Sequence, residues 1–412
     1  MKTLAYSYAF DQIAIDRAEI QQHMLDLETR VRTNLFPWRG QFSPGLADIL
    51  LSTYAATGDL VLDPFAGVGT TLVEAARMQL PCTGTEINPA AVAMAETVMF
   101  IPLRRQQREE VLQRVQRLFN QVFESHLPLF RQPTAQEPVV ARLTHLAQEP
   151  GLDQYERNIL TNVLIRVADI ENEANCDTDA VYRAFSQHLH IVEDLPYAAQ
   201  EYRVENCDAR QLPLADATVD FVLTSPPYIN VFNYHQNNRR PMELLGWDLL
   251  HVAKSEFGSN RKHRGNRFLT VIQYCLDMHA ALLELRRVMR PASRAIFVVG
   301  RESCIRGVSF QNGLLVSALA ELAGFTLKLR QERKFKNKFG AMIYEDLLHF
   351  TPTDKRMGGK SEALSLAVEE LKHRLALDLK ADIASDIRAA IAASSEVTTS
   401  PLYPRRAFRL KP

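Results

Sequence analysis

Apolar and polar positions alternate along the chain in blocks, and the period of each block predicts an element. Ile15 to Val31 reads as one helix, and Leu35-Phe36-Pro37-Trp38-Arg39-Gly40-Gln41-Phe42-Ser43-Pro44 reads as a loop. Ser43 is placed to cap the next helix, with Pro44 at its first position and Leu46, Ile49 and Leu50 on its inner face. The short run Leu60-Val61-Leu62 predicts a strand that ends at a glycine loop. Thr70 to Met78 predicts a helix, and Cys82 to Ile87 a second strand with Glu86 near its end. That order is a βαβ unit, which calls for parallel strands.

From about Pro102 to Tyr197 the period is helical. Val111, Leu112, Val115, Leu118, Phe119, Val122 and Phe123 recur at three- and four-residue steps, as do Ile159, Leu160, Val163, Leu164 and Val167. This predicts a helical insertion within an α/β domain. The βα pattern resumes with Tyr202-Arg203-Val204, Asp208 and the strand Phe221–Leu223. A polar stretch, Tyr228 to Arg267, precedes an amphipathic helix (Val271 to Met289), a strand (Ala295 to Val299) and a helix (Gly313 to Ala323). Thr326 to Phe335 and Asp346 to Phe350 predict a closing antiparallel pair. Residues 358–393 read as helical and the tail to Pro412 as basic. The expected division is 1–102, 103–197 (the insertion), 198–355 and 356–412.

Composition bounds this picture. At 412 residues, 46% hydrophobic and 23% charged, the chain can bury a sizeable core. Lys+Arg 48 balance Asp+Glu 48, so a polyanion-binding surface would have to arise from local clusters. Five scattered cysteines without a CxxC pair fit a reducing compartment and no structural zinc site. The N-terminal residues lack the apolar run of a signal peptide, and no uncharged apolar stretch approaches membrane-spanning length. The expectation is a cytoplasmic protein with no membrane partner.

Two motifs carry chemistry. In Asp63-Pro64-Phe65-Ala66-Gly67-Val68-Gly69-Thr70-Thr71, glycines between strand and helix let the backbone turn tightly against a ligand, and the helix N-terminus favours a negative group. Glu86, about 20 residues on, is where a carboxylate accepts hydrogen bonds from ribose hydroxyls. Leu72 stands where a nicotinamide-type loop would carry its third glycine, and no Gly-Lys-Ser follows, so neither that loop nor a P-loop fits. The second motif, Thr224-Ser225-Pro226-Pro227-Tyr228, ends an apolar strand with a hydroxyl, a carbonyl and an aromatic face. Those groups suit a flat ring bearing an exocyclic amine. Pro81-Cys82, the only Pro-Cys pair, starts a strand, which suits a buried apolar cysteine better than a C5-methylating nucleophile.

Together the motifs resemble the amino-group DNA methyltransferases that use S-adenosylmethionine, the Ser-Pro-Pro-Tyr variant being associated with cytosine N4. The resemblance covers about Phe36 to Phe350, excluding the insertion and tail, with the cofactor loop ahead of the catalytic motif, the reverse of that variant's commonest order. It implies a Rossmann-like, mostly parallel sheet with a terminal antiparallel hairpin. It also implies Asp63 at the methionine amino group, Glu86 at the ribose, Asp208 in Asn206-Cys207-Asp208-Ala209 at the adenine amine, and Phe42-Ser43-Pro44 as a further cofactor motif. The expected cofactor contacts are therefore Phe42, Ser43, Pro44, Asp63, Pro64, Phe65, Gly67, Gly69, Thr70, Glu86, Ile87, Asp208 and Ala209, with Ser225, Pro226, Pro227 and Tyr228 catalytic.

Conjugation with the ring makes cytosine's amine a poor nucleophile. Ser225 and the Pro226 carbonyl can accept its N–H groups, and Tyr228 can stack on a base that has left the duplex. Asn233, His235, Arg261, Lys262, Arg264 and Arg267 are the candidate nucleic-acid contacts, and Arg330, Arg333, Lys334, Lys336 and Lys338 form a second basic cluster. The expected partner is double-stranded DNA, with a cognate restriction endonuclease or defence-system protein as a candidate second partner and a nucleoid-associated location. Three alternatives stay open: adenine N6 in DNA, a base amine in RNA, and a catalytically silent subunit that binds nucleic acid. The insertion or the segment 229–268 would read the target.

Overall fold

A computed structural model of the chain describes residues 10, 12–28, 32–38, 42–123, 138–168, 177–229, 236–258, 265–337 and 339–405. Strands β1 (Val61–Asp63), β2 (Cys82–Glu86), β3 (Tyr202–Asn206), β4 (Val219–Thr224) and β5 (Met289–Gly300) pair in parallel in the order 3-2-1-4-5. A long antiparallel pair, β8 (Phe325–Lys336) and β9 (Met342–Pro352), closes the sheet through β9 on β5. This is the mostly parallel α/β sheet with a terminal hairpin that the sequence predicts. A two-stranded ribbon, β6 (Glu302–Ile305) with β7 (Val308–Gln311), has no counterpart in the sequence reading.

Both faces of the sheet are covered, as parallel sheets require. In β1, Val61 enters one core and Leu62 the other. Along β5, Ile296 and Val298 face the first core while Ala295, Phe297 and Val299 face the second. The first is filled by α1 (Pro44–Tyr54), α2 (Thr70–Arg77) and the insertion helices, the second by α10 (Phe268–Val288), α11 (Asn312–Leu322), α12 (Lys360–Leu375) and α13 (Ala381–Ala392). Helix α10 has the length and composition to cross a membrane, but here it is a core helix, with Val271, Cys275, Met278 and Leu282 buried.

The insertion contributes α4 (Arg105–Phe123), α5 (Val139–Ala147), α6 (Gln154–Ala168) and α7 (Thr178–Glu193). Phe119 stacks on Phe185 at 3.9 Å, and Val115, Leu160 and Val163 join the same core as Leu72 of α2. Its two ends are tied by one buried side chain. The Arg108 guanidinium donates to Phe100 O (2.9 Å), Ile101 O (3.0 Å) and Leu103 O (3.1 Å) on entry, and to Leu195 O and Pro196 O (both 2.6 Å) on exit.

Three local expectations need correction. Of the helix expected over Ile15–Val31, residues 29–31 lie outside the described residues, and among the rest only Gln22–Leu25 is helical, while Ile15 forms an isolated bridge to Arg330 at the edge strand β8. Ser43 occupies the cap position of α1 with extended backbone, but its side chain makes no capping bond. The helix read as amphipathic after residue 270 is buried almost all round.

Candidate functional site

In an open α/β sheet a crevice opens beyond the carboxyl ends of the strands where the order reverses, here between β1 and β4. Asp63 ends β1 and Thr224 ends β4, and the two are joined. Thr224 Oγ1 and Thr71 Oγ1 each donate to the Asp63 carboxylate at 2.6 Å, and Phe65 N donates at 3.1 Å. Burial pushes the Asp63 carboxyl up to about 6, and these three donors pull the other way. Pro64 is buried and its carbonyl accepts from Thr85 Oγ1 at 2.9 Å.

The loop after β1 has the shape the glycines anticipate. Gly67 and Gly69 have φ of 50° and 86°, and a Cβ at Gly69 would stand 3.1 Å from Ala95 of α3 (Pro89–Ala95), so side chains are excluded twice over. Thr70 opens α2 just beyond. Trp38 lies over the loop, its indole nitrogen 3.7 Å from where a Gly67 Cβ would be. Glu86 ends β2 and accepts from Gly67 N (3.1 Å) and Asn88 N (2.8 Å), which fixes the carboxylate beside the loop. Burial raises it to about 7, although the side chain keeps some exposure. A partly open carboxylate beside a glycine cradle fits the ribose end of S-adenosylmethionine, and Asp63 and the loop fit its methionine end. Phe42 packs half-buried against the first core, and Pro44 is the first residue of α1.

At the end of β3, Asn206 pairs in register with Glu86, and its amide donates to Glu86 O (2.9 Å) and Ile87 O (3.2 Å). Beyond it Asp208 and Ala209 are buried. Asp208 already has close partners. Arg210 Nε reaches one carboxylate oxygen at 2.8 Å and Arg210 Nη2 the other at 2.6 Å, and Tyr403 N donates at 3.0 Å. An adenine amine would have to share this carboxylate.

Arg210 Nη1 also meets Asp277 at 2.6 Å, and Ser400 caps Asp277 with its N–H and Oγ, both at 2.8 Å. Burial raises Asp277 to about 6 against the pull of Arg210. Tyr403 Oη donates to Asn206 Oδ1 at 3.1 Å, and Phe65 meets Phe257 edge-to-face at 5.5 Å. Sequence reasoning missed Arg210, Phe257, Asp277, Ser400 and Tyr403. Asp277 alone carried a signal, an acid inside the apolar run Tyr274 to Met278.

The Ser-Pro-Pro-Tyr turn leaves β4 beside this floor. Ser225 Oγ and Tyr228 Oη are 3.3 Å apart, and Tyr274 Oη from α10 donates to Pro227 O at 3.1 Å. Pro226 is buried, and the Tyr228 ring packs against Gly300, where a Cβ would stand 3.1 Å from it. Burial raises the Tyr228 phenol, so it stays protonated. Sheet register therefore gathers the Asp63, Glu86, Asp208 and Ser225 positions at one edge. Asn233, His235, Arg261, Lys262 and Arg264 lie outside the described residues, while Arg267 is exposed at the start of α10. In the second basic cluster two arginines turn inward. Arg330 pairs with Asp346 and lies over Phe10 at 4.0 Å, and Arg333 pairs with Glu345.

Part of the chain matches known methyltransferases in sequence. Residues 19–97 match a family model for DNA methylases of the N6/N4 type. A 62-residue stretch is 37% identical to the type II methyltransferase M.MjaII of Methanocaldococcus jannaschii; it spans 15% of this chain and 12% of that protein. Among solved structures, an S-adenosylmethionine-dependent methyltransferase from Methanosarcina mazei aligns at TM-score 0.34 and 13% identity, over 74% of this chain and 98% of its own. A 16S rRNA (adenine(1408)-N(1))-methyltransferase from Catenulisporales acidiphilia aligns at TM-score 0.32 and 10% identity, over 79% and 100%. The sequence matches support an amino-methyltransferase family and S-adenosylmethionine as its cofactor.

Proposed function

We propose that the chain is an S-adenosylmethionine-dependent DNA methyltransferase acting on the exocyclic N4 amine of a flipped-out cytosine. The observation that carries this reading is the Ser225–Tyr228 pair at the end of β4, one residue beyond the Thr224 hydroxyl that holds Asp63. The amine-gripping turn and the cofactor strand are thereby fixed to each other.

When bound, S-adenosylmethionine supplies a sulfonium methyl for in-line displacement by the amine. The chain's own residues hold the base. Ser225 Oγ accepts one amine N–H and the Pro226 carbonyl the other, which draws the nitrogen toward sp³ and exposes its lone pair. Ser225 then passes the proton shed by the methylated amine to water. Tyr228, pinned on Gly300, stacks on the base and offsets part of the few kcal/mol of flipping cost. Tyr274 fixes the turn through the Pro227 carbonyl, so the acceptors are positioned before the base arrives. On this reading double-stranded DNA is the substrate, a cognate restriction endonuclease the candidate partner, and the nucleoid the place of work.

The test is incubation with labelled S-adenosylmethionine and separate DNA and RNA pools, followed by nucleoside mass spectrometry. N4-methylcytosine in DNA is the expected product. N6-methyladenine, or label confined to RNA, overturns the assignment of base or polymer. Absence of label despite cofactor binding indicates a silent subunit.

A further inference from the structure

The β8–β9 hairpin runs past the end of the sheet on the side of the catalytic turn. Gly300, the last residue of β5, pairs with Glu345, yet the hairpin continues through Lys334–Tyr344 and Lys336–Met342 to a turn at Asn337–Ala341. At the rise of an antiparallel strand, it projects on the order of 15 Å beyond β5. Its strand β9 stands two strand spacings from β4 and β8, which carries Lys334 and Lys336, three, roughly 10 and 14 Å to the side.

Its two faces differ. Arg333, Phe335, Ile343 and Glu345 face inward and are at least partly buried. Lys334, Lys336, Met342 and Tyr344 share the other face as cross-strand pairs, and all four are exposed. At the hairpin's base Asp26 accepts from the Lys334 backbone N–H, and Glu332, on the Lys334 face, is already paired with Arg17 and Arg301. At the tip, Asn337 Oδ1 accepts from both Phe339 N (2.9 Å) and Ala341 N (3.0 Å); Lys338 lies outside the described residues. On that turn the Phe339 side chain is 81% exposed. Interleaved cations and apolar side chains suit phosphates and base faces together.

We propose that this hairpin is a DNA-binding finger: Lys334 and Lys336 hold the backbone beside the target, and Phe339 wedges into the base stack there. An apolar wedge fills space that base extrusion empties, and unstacking is the cost it offsets. The inference rests on the DNA reading proposed above and adds a surface and a step that it does not contain.

The test uses the full chain with Phe339→Ala, Phe339→Trp and the pair Lys334→Ala/Lys336→Ala, each checked for unchanged melting temperature and cofactor affinity. Phe339→Ala should lower methylation of native genomic DNA by about tenfold or more, as loss of part of the unstacking energy implies, while heat-denatured DNA changes less than about twofold. Phe339→Trp should retain activity. The lysine pair should weaken binding of a mixed-sequence duplex and reduce the slope of log affinity against log salt by about 2. Equal losses on paired and denatured DNA overturn the wedge, and an unchanged salt slope overturns the lysine contacts. If the wild-type chain methylates no DNA, the proposed function fails and the wedge with it. A lysine-dependent salt slope would still uphold the DNA-binding surface, and its absence would overturn that too.

Discussion

Thr224 Oγ1 donates to Asp63 Oδ1 at 2.6 Å across the junction of β1 and β4, so one hydrogen bond ties the Ser-Pro-Pro-Tyr turn to the strand that opens into the glycine loop. Thr224→Val keeps the shape and removes the donor. A hydrogen bond to a charged group contributes about 1.5–3 kcal/mol, so the variant should be less stable by about that amount, and the less firmly held Asp63 should bind S-adenosylmethionine more weakly. Calorimetric titration of the variant against wild type checks this. An unchanged affinity would mean that Asp63 does not meet the cofactor.

The acids of the floor give a pH signature with two opposite signs. Asp63 rises from an ordinary 3.8 to about 6, and Glu86 from 4.5 to about 7. Between the ordinary and raised values the folded, ligand-free protein binds more protons than the unfolded chain. These two groups therefore lower stability as pH climbs from about 4 to 7, after which the effect levels off. Cofactor affinity should move the other way, strengthening through pH 6 to 7 as both carboxylates ionise. Melting curves and titrations over pH 5–8 read the two trends. In Thr224→Val, which removes a donor that holds Asp63 down, the affinity curve should shift to higher pH.

Ser225→Ala should separate chemistry from binding. Removal of the hydroxyl takes away an acceptor placed on the reacting amine, so methyl transfer should drop by about a hundredfold or more while cofactor affinity stays within about twofold. Rates under saturating cofactor, alongside calorimetry, decide it. A collapse of cofactor binding would assign Ser225 to the cofactor instead.

The element order was readable because βα alternation and the Gly67–Gly69 loop are local signals. Strand-end positions were legible too: Asp63 and the Ser225 turn follow the apolar runs Leu60–Leu62 and Phe221–Leu223, while Glu86 was placed only by its spacing from the glycine loop. What could not be read is contact across long separations. Arg210 lies 190 residues from Ser400 and 67 from Asp277, and no periodicity encodes that meeting. The short helix within Ile15–Val31 has a similar cause, since Ile15 is taken up by a bridge to β8 and Ile20 and Leu25 enter the first core, contacts far away in sequence. Arg330 and Arg333 read as surface charge only until their partners Asp346 and Glu345 came into view.

The Arg210 network should be intolerant of losing its cation. Arg210→Met leaves Asp208 and Asp277 buried without a counter-charge, and breaking a buried pair in this way costs about 3–5 kcal/mol. Denaturant titration should show that loss, and Asp277→Asn in the same chain should recover part of it. If the double variant is no better than the single one, the two sites are not energetically coupled.

Gly69→Ala tests the cradle. A side chain there must adopt φ near 86° and crowd Ala95, so a loss of about 1–2 kcal/mol from the left-handed backbone alone is expected. The thermal midpoint should fall and the cofactor should bind more weakly. A variant as stable and as tight as wild type would show that the loop can rearrange.

Arg108 joins the two ends of the insertion through backbone carbonyls alone, and this has a kinetic meaning. Strands β2 and β3 are neighbours in the sheet, but the chain between them makes the whole excursion through α4–α7. Open, that excursion is a long loop whose closure entropy must be met before any β2–β3 pair can form. Clasped at its neck, it becomes a short connection from Ile101 to Pro196, and β3 is delivered to β2 as if by a tight turn. The same clasp thus shortens the connection that must be ordered before Asn206 and Asp208 can stand at the sheet edge.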